Sequence, residues 1–184
     1  MKIGFFTEAG YSGKISRDTT NMRTDSAWIC SLDANHYSIP GIIVNGCNEK
    51  YDIGIVIIPK TTGGNTGANK NSYDRDNLAN NDYPLVKTLK NFCDKVLVMQ
   101  ESTHWDWQED SITIMSWYYN QLVESDGILC HNDIDVPYFE GITNKPAFIF
   151  PTLMIEDSIQ ISNERNDSVF VAGNWHTTYR GFDA

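Results

Sequence analysis

Basic residues are scarce in this chain. Fourteen Lys and Arg face 24 Asp and Glu, a formal net charge of −10. Non-specific binding to nucleic acid depends on cations that neutralise phosphates, so the chain alone does not suit that role, and a basic patch would have to come from a further domain. Long apolar runs are lacking too. No stretch approaches the ~18 residues of a membrane helix. The apolar start at residues 1–6 meets Thr7 and Glu8 at once, too early for a signal peptide. No membrane span or secretion is implied, and the cytoplasm is the expected compartment. Cysteine pairs are missing as well: Cys30, Cys47, Cys93 and Cys130 are scattered with no CxxC spacing and read as free thiols of a reducing compartment.

Three nucleotide and hydrolase signatures are also absent. The segment Thr7-Glu8-Ala9-Gly10-Tyr11-Ser12-Gly13-Lys14 is neither GxGxxG nor GxxxxGK[ST], which argues against a dinucleotide fingerprint and a Walker loop. No GxSxG occurs, so a nucleophile elbow is not expected.

What is present suits a globular α/β protein. The 184 residues fit one domain with a sizeable core plus a short tail, at 41% hydrophobic, 12% aromatic and 21% charged residues. Short apolar runs at residues 3–6, 39–44, 53–58, 96–99, 127–130, 147–150 and 169–172 are mostly non-alternating, as in strands buried on both faces of a parallel sheet. Helical spacing lies between them. One helix is expected over residues 21–34, with Asn21, Thr24 and Asp25 suited to its start. A second begins near Pro84 with Leu85, Leu89 and Phe92 on one face. A third covers residues 110–124 with Ile112, Met115, Tyr119 and Leu122 on one stripe, widened by Trp117, Tyr118 and Val123. Residues 61–81 are rich in Gly, Asn, Asp and Ser and read as a long surface loop. This alternation predicts a doubly wound, mostly parallel α/β sheet of Rossmann-like type, whose ligands sit at the carboxyl ends of the strands.

The segments after the strands are therefore the places to look for chemistry. Residues 100–110 gather one histidine, two tryptophans and four acids. Glu101, just past a buried strand, sits where partial desolvation can raise a carboxylate pKa and make a general base; the alternative is a cap for the following segment. Trp105 and Trp107 flank Asp106 and would face the same way in an extended loop, as a platform for a sugar or base, or would bury against their own domain. His104 could polarise a substrate, but His104 and Asp106 lack the further ligands of a metal site. After the next strand, His131-Asn132-Asp133 offers an HxD spacing for a divalent ion, or simply caps the following turn or helix, the reading favoured here.

At the level of element order, the whole chain resembles nucleotide-sugar glycosyltransferases of the GT-B type, whose two Rossmann-like domains enclose the active site. Within that class it resembles, more faintly, the phage DNA β-glucosyltransferases, which also open with Met-Lys-Ile and carry an acid at the start of the first helix, here Asp25. The resemblance implies an acceptor-side domain at residues 1–157, a linker at 158–168, and at 169–184 the first strand and glycine loop of a donor-binding domain that the chain cuts short. It places the catalytic base on Glu101 and the donor diphosphate on Gly173, Asn174 and Arg180, through backbone donors and a guanidinium. His176 departs from the family pattern, which has an arginine there. Glu8, Asp25, His104, Trp105, Asp106 and Trp107 would belong to the acceptor side.

The implied reaction is inverting transfer. Glu101 deprotonates an acceptor hydroxyl, of a glycan or a modified DNA base, which displaces the nucleoside diphosphate from a donor such as a UDP-sugar. No cluster here demands a metal or other cofactor. On this reading the 184 residues hold an acceptor half-site and little catalysis of their own. Two competing readings are a non-catalytic α/β binding or interaction module, and a small α/β hydrolase or nucleotide-modifying enzyme using Glu101, His104 and Asp106.

Overall fold

The computed structural model describes residues 1–7, 24–58, 75–100 and 112–151. The six strands are β1 (Ile3–Thr7), β2 (Asn35–Ser38), β3 (Tyr51–Ile57), β4 (Cys93–Gln100), β5 (Gly127–Cys130) and β6 (Ala147–Ile149). They form one sheet in the order β2-β1-β3-β4-β5-β6. Every neighbouring pair is parallel. The doubly wound α/β expectation is met. The expected linker at 158–168 and the strand at 169–172 lie outside the described residues.

The helices are α1 (Thr24–Ser31), α2 (Ile39–Asn45), α3 (Arg75–Asn80), α4 (Leu85–Leu89), α5 (Ile112–Glu124) and α6 (Asp135–Thr143). Two cores result, one on each face of the sheet. On one face Ile3, Phe5, Ile55, Met99 and Leu129 meet Trp28 and Ile29 of α1. On the other, Phe6, Val56, Val96, Val98 and Ile128 meet apolar residues of α2 to α6. Strands buried on both faces read as continuous apolar runs, which explains why β1, β3, β4 and β5 were legible without alternation.

Three expectations are corrected. Residues 39–44, read as a strand, form α2, and the strand beside them is Asn35–Ser38. An apolar run of that length does not by itself distinguish strand from buried helix. The local chemistry decides for a helix: the Ser38 hydroxyl accepts from the Gly41 amide at 3.0 Å, and Pro40 occupies the first turn, where a missing N–H costs nothing. Residues 75–80 of the expected loop form α3, which buries Leu78 and Ala79. The buried face of α5 is Ile114, Trp117, Tyr118, Gln121 and Leu122. The expected stripe is therefore rotated, leaving Ile112 80% exposed and Tyr119 37% exposed.

Helix α1 ends where Asp33 adopts a left-handed φ of 49°, and the Ala34 amide donates to the Ile29 carbonyl as the chain turns into β2. Helix α6 ends in the same way at Asn144, φ 55°, whose amide donates to the Glu140 carbonyl. Among the described residues no helix is long and apolar enough to cross a membrane.

Candidate functional site at the carboxyl edge

The connection from β1 runs to one side of the sheet and that from β2 crosses back to β3 on the other, so the strand order reverses between β1 and β3. At such a switch point the loops leave toward opposite faces and open a crevice outside the carboxyl ends. The registers bring the strand ends level. Phe6 pairs with Val56 and Ile57 with Met99, so Thr7 of β1 and Gln100 of β4 finish close to the same height. Two strand spacings separate them, about 10 Å. Their successors in the chain are Glu8 and Glu101.

The polar residues lining this edge are buried. His36 is fully buried, and its Nε2 lies 2.6 Å from the Thr7 hydroxyl. Phe5 meets the imidazole edge-on, 6.5 Å between centroids. On the adjoining strand Ser38, opposite Thr7, is committed to capping α2. Gln100 is fully buried, and its Oε1 accepts from the Tyr118 hydroxyl of α5. This bond ties the last residue of β4 to the helix that follows it and fixes where the chain leaves the sheet. A buried polar pair of this kind holds its geometry because separating it in a low-dielectric interior is costly.

Arg75 heads α3, on the crossover that leaves β3, and is 5% exposed. Its Nε and Nη2 both lie 3.3 Å from the Asp76 carboxylate. Sequence reasoning missed Arg75 and His36. Arg75 stands in a polar segment taken for a loop, and His36 stands in a four-residue strand between the expected helix at 21–34 and the apolar run at 39–44 that read as the strand.

Two of the described thiols, Cys93 and Cys130, are poorly suited to nucleophilic work. Burial pushes Cys93 and Cys130 up to about 12, which keeps both neutral near pH 7. The HxD residues do not converge on a common point. The His131 Nδ1 lies 2.8 Å from the Phe150 carbonyl, and the Asp133 carboxylate accepts from the Ile134 amide at 2.8 Å. Asn132 donates to Asp135 in the first turn of α6, but the N-cap of that helix is Ile134 and carries no side-chain cap, so these residues do not cap the helix as expected.

Of the residues singled out from sequence, Asp25 has its backbone in the first turn of α1. Glu8, Glu101, His104, Trp105, Asp106, Trp107, Gly173, Asn174 and Arg180 lie outside the described residues. An open groove of about 290 Å³ elsewhere is lined by Asp82, Lys87, Asn120 and Glu124. It sits between α4 and the last turns of α5, on the side of the crossover that enters β4, away from the switch point.

The fold and this edge define a doubly wound α/β protein with a topological switch point between β1 and β3. Comparison with family models, with curated proteins and with solved structures found no match.

Proposed function

We propose that the chain serves a GT-B type glycosyltransferase that moves a sugar from a nucleotide-sugar donor to a hydroxyl acceptor, with inversion. Glu101 is the general base in this reading, Gly173, Asn174 and Arg180 hold the donor diphosphate, and Glu8, Asp25, His104, Trp105, Asp106 and Trp107 serve the acceptor. The supporting observation is the end of β4. Gln100 is pinned by Tyr118 at the carboxyl edge of a parallel sheet, level with Thr7 of β1. The next residue in the chain is an acid in each case, about 10 Å apart at their points of departure.

The test is transfer from a UDP-sugar to a hydroxyl acceptor by the full-length protein. General-base removal costs about 10²–10⁴-fold in rate. Glu101→Gln is expected to lose turnover on that scale while melting at the wild-type temperature. Retained turnover in that variant removes Glu101 as the base.

The strand order supports one other reading. The arrangement 2-1-3-4-5, here with a sixth strand, is also that of doubly wound modules which bind a cofactor at the β1/β3 switch point. A binding module of that kind takes up a nucleotide without consuming a sugar donor, so donor turnover separates the two. Nucleotide hydrolysis without any acceptor would instead favour the hydrolase reading.

A further inference from the structure

The chain leaves β6 through an unusual pair of contacts. The β5–β6 ladder ends at Ile149, yet the next two carbonyls are both taken by side chains. The indole N–H of Trp28, on α1, donates to the Pro151 carbonyl at 2.9 Å. His131, directly after β5, places Nδ1 2.8 Å from the Phe150 carbonyl. A carbonyl cannot donate, so Nδ1 carries the proton here. The two rings stack on each other, 4.9 Å between centroids and 13° from parallel, and the Phe150 ring packs against the indole at 5.6 Å. The Phe150 amide in turn donates to the Cys130 carbonyl at 2.6 Å.

Packing alone does not require this arrangement. Trp28 is fully buried, and its N–H needs an acceptor. It takes that acceptor from a residue 123 positions away rather than from its own helix. Pro151 adds stiffness, because its ring fixes its own φ and restricts Phe150 to extended backbone.

We infer that Trp28 and His131 form a clamp that fixes the point and direction at which the chain leaves this sheet at Phe150 and Pro151. The clamp joins three elements at the carboxyl edge: α1, the end of β5 and the end of β6. The end of β6 is thereby tied to α1, whose first turn contains Asp25. Trp28 and His131 are positioning residues, and the inference does not depend on the transferase reading.

Amide exchange in the full-length protein tests the clamp and needs no substrate. His131→Phe keeps a ring to stack on Trp28 and removes the imidazole nitrogens, the Nδ1 donor among them; Trp28→Phe removes the indole N–H. Each is expected to speed exchange at the Phe148 and Phe150 amides, which face β5, by about tenfold, the scale of one lost hydrogen bond, while β1 and β3 amides keep their rates. The double variant is expected to show less than the product of the two single effects, because the rings act as one unit. Unchanged exchange at Phe148 and Phe150 in His131→Phe overturns the inference. So does acceleration spread evenly over β1, β3 and β6, which would make Trp28 a packing residue only.

Discussion

Asp126 shows how one side chain can set a strand junction. Its carboxylate accepts from the Val96 amide at 2.9 Å and faces Lys90 at 3.4 Å and Lys95 at 3.8 Å. Burial alone would raise its pKa, but the amide and the two ammonium groups outweigh that and hold it below the usual 3.8. Folding thus favours the ionised form. That contribution is complete above pH 3.8 and disappears as pH falls through the lower folded value. Asp126→Asn is expected to lower Tm at pH 7 by about 2–4 °C, the shift that ~1 kcal/mol gives at this chain length. Thermal melts from pH 7 to pH 2 should show the gap closing at the acid end, and a gap independent of pH would contradict the assignment. Single-residue roles were the least legible from sequence. Glu101 could be singled out because it follows an apolar run, whereas the Thr7–His36 and Tyr118–Gln100 pairs join positions 29 and 18 apart that only the sheet brings together.

Elements were legible where composition and local chemistry agree. Strands β3, β4 and β5 are β-branched or apolar runs with polar or turn residues around them, and they lie where expected. Helix α2 was hidden because Ile39-Pro40-Gly41-Ile42-Ile43-Val44 is as apolar as a buried strand, and its Gly and Pro give little helix propensity. Its start rests on the Ser38 cap. Ser38→Ala is expected to cost about 1 kcal/mol, as loss of such a cap usually does, and denaturant unfolding measures it directly. An unchanged midpoint would show that tertiary packing of Ile39 and Ile42 holds the helix without the cap. Helix α3 was hidden for a different reason: two buried apolar residues, Leu78 and Ala79, are too few to give a period within a polar segment.

At the scale of the molecule, the class of fold was legible and the strand order was not. Alternating strands and helices imply a parallel sheet, but whether β2 lies outside β1 or between β1 and β3 depends on crossover directions that no local pattern carries. The order places the switch point between β1 and β3, and the registers bring the ends of β1 and β4 level.

The central claim is that this carboxyl edge is where the nucleotide-sugar and its acceptor meet. Backbone amide shifts of the ¹⁵N-labelled full-length protein, recorded as a UDP-sugar is titrated to saturation, test it most directly. The account predicts that the largest shifts among the described residues fall at Thr7, Ser38, Ile58 and Gln100. Saturable binding that leaves those four amides unmoved, or that shifts Asp82, Lys87 and Glu124 around the α4–α5 groove instead, would contradict it.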